Sequence, residues 1–300
     1  MLFRSRIAFF LRANNELYES VSNFWVDFRF YDLLPGLDKH LTDLAEFSPL
    51  ILIAPAQTLL LVAKAQRDIQ GFSIAPRQIV SVAEVLDPED QRFIEDTFSQ
   101  QVDQIYQCTE GFLACTCPHG SLHLNEDAVI FEKEWLDQDT GRFVPIITDL
   151  RRQTQPMVRY RLDDVLVLDD QPCECGSGFA KLKFIEGRCD DMLVLPDGEN
   201  KPAYIFADIV RQTMVKVDKL EDYRIVQTAI DSWSLYLSPS TPDIRQKAEN
   251  QIKHLCGARE LTPPRLLLFS MDKFENKDLM AKRRRISRTF STKPVYPENA

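Results

Sequence analysis

Apolar and polar residues alternate over 4–10 and 24–32 of the chain, where Phe24, Val26, Phe28 and Phe30 are separated by polar partners. A period of two predicts strands at both places. Residues 36–47 predict a helix, 50–54 a buried strand, 56–67 a second helix and 79–85 a further strand. Asp87 is placed to cap the next helix, with Pro88 at its first position and Glu89 and Asp90 in its first turn. Residues 101–107 predict the strand that follows. This βαβα alternation implies an α/β fold with a mainly parallel sheet covered by helices.

After Glu110 the pattern changes. Residues 121–135, 142–149, 157–168 and 181–195 predict strands joined by short polar turns, an antiparallel or barrel-like unit. From about 199 onward, a helix over 203–216, strands over 222–228 and 233–238, a helix over 241–256 and a strand over 264–270 make a small α+β piece. The natural hinge lies near Arg188–Asp190. No internal repeat interrupts the series.

A composition of 44% hydrophobic and 27% charged residues in 300 suits a soluble globular protein. The net charge of -9 argues against a general nucleic-acid binder, although a small anionic ligand in a locally basic pocket stays possible. The apolar run from Ile7 to Leu11 is too short for a signal segment and stops at Arg12. The run from Leu50 to Ala63 is shorter than a bilayer span and is broken by Pro55. A cytoplasmic protein without a membrane segment is the expectation. Seven cysteines, an odd number without a secretory signal, suggest thiols and metal ligands rather than a disulfide framework.

Four motifs carry chemistry. Tyr106-Gln-Cys-Thr-Glu110 leaves a strand at its C-terminal end, where ligands collect in α/β sheets. A Tyr can lie against a planar ring, a Thr can donate to phosphate and a Glu can hold Mg²⁺; an ordinary strand end would use the same residues. Tyr160-Arg-Leu-Asp-Asp164 sets Asp163 and Asp164 beside Arg159 and Arg161, which suits either a grip on a ribose or a solvated, salt-bridged strand end. Cys117 and His123 with Cys173 and Cys175 supply three thiols and an imidazole, a usual tetrahedral zinc set. Cys115 and His119 are nearby alternatives, whereas Cys108, Cys189 and Cys256 read as plain thiols and His40 and His254 as surface residues on helices. Ala281-Lys-Arg-Arg-Arg-Ile286 is a basic cluster, either a solvated tail or a mobile segment delivering Lys282 to a phosphoryl or carboxylate centre. No serine-hydrolase elbow, phosphate-binding G-x-x-x-x-G-K-[ST] loop or dinucleotide fingerprint is present.

Taken in order, these motifs resemble the adenylate-forming, AMP-binding superfamily, in its phenylacetate–CoA ligase and coenzyme F390 synthetase branch. The resemblance covers essentially the whole chain and is most specific over 104–131 and 145–195. It implies that 1–187 are the C-terminal part of the large AMP-binding domain, a parallel sheet plus a small β-rich unit, and that 188–300 are a small mobile α+β domain. The implied activity is ATP- and Mg²⁺-dependent activation of a small carboxylate to an acyl-adenylate. The acyl group then passes to a thiol such as coenzyme A, or AMP is placed on a deazaflavin. By position, Tyr106 would contact adenine, Thr109 the α-phosphate and Glu110 the magnesium; Asp164 would clamp the ribose, with Arg188 near it. Asp190 would be the pivot and Lys282 the catalytic lysine, and Cys117, His123, Cys173 and Cys175 fall where members of this branch can carry structural zinc. The sequence departs from the family at Gln107, at Leu162-Asp163 and at Ala281, each replacing a residue of its motif. The family's Ser/Thr/Gly-rich phosphate loop does not occur in these 300 residues, so the resemblance implies a chain truncated at its front and impaired in adenylation.

Overall fold

The computed structural model describes residues 4–11, 22–34, 36–274 and 284–290. They form two compact units, the first holding residues up to 162 together with 166–185, the second 163–165 together with everything from 186 onward.

The first unit starts with parallel strands β1 (Ser5–Leu11) and β2 (Val26–Asp32), then helix α1 (Leu41–Phe47), β3 (Ile51–Pro55), α2 (Ala56–Asp68), β4 (Gln78–Val82), α3 (Pro88–Phe98) and β5 (Val102–Cys108). The strands pair in the order β2-β1-β3-β4-β5, all parallel. Ala8, Phe10, Leu52 and Ala54 turn one face toward Leu44, Phe47, Leu59 and Val62 of the helices, and all are buried. In α2 the buried Ala56, Leu59, Val62 and Ala63 recur at three- and four-residue spacing, which gives that helix its apolar stripe. Asp87 and Pro88 take the N-cap and first helical positions of α3. His40, expected on the surface, instead precedes α1 with its ring against Phe10 and Tyr31 and its Nε2 2.6 Å from the Asp32 carbonyl.

The β-rich part continues the same sheet. It comprises β6 (Gly111–Thr116), β7 (Leu122–Leu124), β8 (Val129–Asp137), β9 (Arg142–Asp149), β10 (Tyr160–Arg161), β11 (Asp164–Asp169) and β12 (Lys181–Arg188). Beyond β5 the order runs β6-β7-β12-β11-β9-β10, with β8 on the other edge of β9. β5 is therefore the switch: parallel to β4 and antiparallel to β6. The strand expected over 157–168 breaks in two. Leu162 N–H reaches the carbonyl of Pro145, which has no N–H to return. Between the pairs Arg161↔Ile146 and Leu166↔Phe143 the chain holds two more residues than its partner, so Asp163 and Asp164 sit in a bulge.

The second unit contains β13 (Leu193–Pro196), β14 (Pro202–Ile205), α4 (Ala207–Val215), β15 (Asp222–Ala229), β16 (Ser232–Ser238), α5 (Pro242–Ala258), β17 (Arg265–Ser270) and β18 (Ile286–Arg288). Its main sheet runs β17-β16-β15-β18. Thr241 caps α5 by accepting the Ile244 N–H at 3.3 Å. Ile244, Ala248, Ile252 and Leu255 then line the helix face that covers Trp233, which is fully buried. The helix expected over 203–216 gives up its start to β14, which pairs with β13. Gln227 accepts from Val194 N–H at 2.9 Å and donates to the Val194 carbonyl at 2.6 Å, fixing that hairpin to β15.

Candidate functional site

Four candidate ligand residues from two separate stretches of the sequence converge in the first unit. Cys117 directly follows the β6 strand, and its carbonyl accepts the Gly120 N–H at 2.9 Å while its N–H reaches the Ser121 carbonyl at 2.8 Å. This tight turn sends the chain back into β7, where His123 lies opposite Cys115 on one side and Lys181 on the other. A second tight turn, closed by Gly176 N–H on the Cys173 carbonyl at 3.1 Å, brings in Cys173 and Cys175 between β11 and β12. Gly120 (φ 79°) and Gly176 (φ 73°) take the left-handed backbone these turns require.

The ligand atoms of Cys117, His123, Cys173 and Cys175 all lie within 4.8 Å of one another. The Sγ atoms of Cys117 and Cys173 are 3.7 Å apart, and Cys175 Sγ is 3.5 Å from His123 Nε2. Sulfur at about 2.3 Å and nitrogen at about 2.0–2.1 Å from a tetrahedral zinc would be separated by about 3.6–3.8 Å along the edges. The side chains present fit that ion. His123 Nδ1 donates to the Phe179 carbonyl at 3.0 Å, which leaves Nε2 with its lone pair beside the Cys175 thiol. The Ser121 hydroxyl, then the Cys175 N–H and His123, pull the Cys173 thiol down to about 5. The alternatives do not join: His119 pairs with Glu174 at 3.6 Å, and Cys115 lies outside the group and is exposed. Ser121 and Phe179 were not legible as site residues, because neither is a ligand type.

Tyr106, Thr109 and Glu110 stand at the C-terminal end of β5. The β5–β6 pairing slips between Tyr106 and Gln107, leaving Thr109 and Glu110 as the two-residue turn of a hairpin. Tyr106 is 8% exposed and belongs to the core of the β-rich part, while Thr109 is exposed at the tip. Arg152, which the motifs did not single out, donates to the Glu110 carbonyl at 3.1 Å. Burial, and next the Glu110 carboxylate, push the Cys108 thiol up to about 11.

In the second unit Asp164 and Arg188 meet, with Arg188 Nε 3.8 Å from Asp164 Oδ1. The Cys189 N–H donates to the Asp163 carbonyl at 2.7 Å, holding the bulge beside the turn Cys189–Asp191. Asp190 occupies the single helical turn Cys189–Asp191. Lys282 and Ala281 lie outside the described residues. Arg284 and Arg285, expected in a solvated or mobile run, instead pair with Asp191 at 3.0 Å and Asp222 at 3.5 Å, and Ile286 is buried in β18.

This architecture is that of the adenylate-forming ligases. A 2-hydroxyisobutyryl-CoA ligase bound to an acyl-adenylate superposes with a TM-score of 0.70 at 14% identity, covering 95% of this chain and 66% of that one. An anthranilate CoA ligase in complex with anthranoyl-AMP superposes with a TM-score of 0.64 at 14% identity, covering 94% and 58%. Within that class the sequence is similar to the phenylacetate–coenzyme A ligase of Thermus thermophilus, 28% identical over 134 residues, 41% of this chain and 29% of the relative. The chain thus spans less than two thirds of the length of these relatives. No protein-family profile matches it. Among the described residues no helix is long and apolar enough to cross a membrane.

Proposed function

We propose that the chain serves ATP-dependent carboxylate activation of the phenylacetate–CoA ligase or coenzyme F390 synthetase type. In this reading a carboxylate oxygen attacks the α-phosphorus of ATP and pyrophosphate leaves. Tyr106 lies against adenine, Thr109 donates to the α-phosphate, and Asp164 with Arg188 serves the ribose. Asp190 is the pivot residue, and Lys282 neutralises charge on the reacting oxygens. Glu110 offers oxygen at an accessible turn, the donor type magnesium takes, and the ion, when bound, offsets charge on pyrophosphate. Zinc held by Cys117, His123, Cys173 and Cys175 is structural and takes no part in the reaction. A thiol such as coenzyme A accepts the acyl group, and the cytoplasm is the compartment. Residues 1–187 then belong to the large AMP-binding domain and 188–300 to the small mobile one.

The observation that carries this reading is the single order of motifs on a fold matched over 95% of the chain. ATP–pyrophosphate exchange across a panel of small aromatic and aliphatic carboxylates tests it: exchange that depends on the carboxylate and disappears in Lys282→Ala is expected. A second reading is a noncatalytic adenine-nucleotide-binding protein that keeps the ribose and adenine contacts. AMP binding with no exchange on any carboxylate would select that reading.

A further inference from the structure

Asp191 is the acid of the hinge turn to which no role has yet been given, and its two carboxylate oxygens do different things. Oδ2 accepts the Arg188 N–H at 2.8 Å. Oδ1 takes the Arg284 guanidinium at 3.0 Å. Asp191 is 13% exposed and Arg284 33%, so this pair is drier than a surface ion pair and is screened less by salt. Gly187 makes the arrangement possible: its φ is 139°, and a Cβ there would stand 2.9 Å from Asp191 Oδ2. On the far side, Arg285 donates through Nε to Asp222 at 3.5 Å, and its carbonyl accepts the Ile225 N–H at 2.7 Å. Residues 284–286 are therefore fastened to β15 by backbone and to the hinge turn by one side chain. Arg284 follows Lys282 by two positions in the sequence.

We propose that Asp191 and Arg284 form a positioning clasp that ties the hinge turn Cys189–Asp191 to the start of β18. Arg284, two positions after Lys282 in the sequence, is then held by a carboxylate to which the nucleotide reading gives no role. The clasp is a property of the second unit; its effect on turnover rests on the functional reading above, but its effect on local opening does not. Asp191→Asn keeps an oxygen for the Arg188 N–H and removes the charge. Arg284→Gln removes the other charge, and Arg284→Lys restores it without the planar fork.

Hydrogen-exchange mass spectrometry on the full chain reads the coupling directly. Either Asp191→Asn or Arg284→Gln should speed exchange about tenfold in both the 187–192 and the 284–290 peptides. The double variant should be no faster than the faster single one, as expected for one shared interaction, and Arg284→Lys should recover most of the protection. A change confined to the peptide carrying the substitution, or effects that multiply in the double variant, would overturn the clasp. In pyrophosphate exchange, both single variants should lower kcat roughly tenfold and leave KM for ATP within about twofold. Unchanged kcat in a chain whose wild type turns over would overturn the positioning role. A wild type that shows no exchange at all would count against the ligase reading and leave the hydrogen-exchange result to decide the clasp.

Discussion

The Cys/His cluster and the residues proposed to serve the nucleotide present two kinds of site. Cys117, His123, Cys173 and Cys175 meet inside one unit, and two of their separations already match the edges of a zinc tetrahedron. Tyr106, Thr109 and Glu110 belong to the first unit, whereas Asp164, Arg188 and Asp190 belong to the second. A cluster whose members sit on one strand and two turns of a single unit is specified by those local turns. Residues carried by separate units are specified only up to the geometry within each. The difference explains why side-chain distances test the zinc proposal, and why ligand binding must test the nucleotide proposal.

Substitution at the cluster should have the largest effect. Purified protein is expected to carry about one zinc per chain, and Cys173→Ser should abolish it. Structural zinc in small domains is worth roughly 10–16 kcal/mol of apparent binding energy, so the variant should lose several kcal/mol of stability by thermal melt. Metal-free wild type with an unchanged melt would break the comparison at its stronger side. Next comes the hinge. Gly187→Ala puts a Cβ 2.9 Å from Asp191 Oδ2 at a φ of 139°, and a loss of about 1–3 kcal/mol in denaturant unfolding is expected.

A smaller effect separates the two sides by pH. Cys108 holds its proton to about 11, because burial and then Glu110 disfavour the thiolate. A raised folded value means its contribution to stability is full below the ordinary thiol range and fades as pH rises toward about 11. Alkylation of Cys108 at pH 8 should accordingly be slower than that of exposed Cys115, and Glu110→Gln should speed it. The smallest effect is expected at the rejected ligands: Cys115→Ser and His119→Ala should leave zinc content unchanged and shift stability by less than about 0.5 kcal/mol.

The sequence made the parallel sheet readable because β2 to β5 alternate with amphipathic helices. Metal ligands were readable for a different reason: only Cys, His and carboxylates bind zinc, and a Cys-x-Cys step is rare by chance. Strand β6 falls in the stretch between 107 and 121 where no strand was expected, because Gly111 opens the return strand of a hairpin whose tip is Thr109–Glu110. Hairpin β13–β14 was merged with its neighbours because its strands are four residues each and its anchor, Gln227, comes from β15. Strand β18 was concealed by the arginines before it, whose partners Asp191 and Asp222 are remote in sequence. For β13–β14 and β18 the deciding interaction is long-range, and no local pattern contains it.

Calorimetric titration of AMP into the zinc-loaded chain tests the central claim most directly. The account predicts binding by the wild type that falls at least tenfold in both Tyr106→Ala and Asp164→Ala, while Lys282→Ala stays within about twofold. No AMP binding by folded wild type, or binding indifferent to both substitutions, would contradict it.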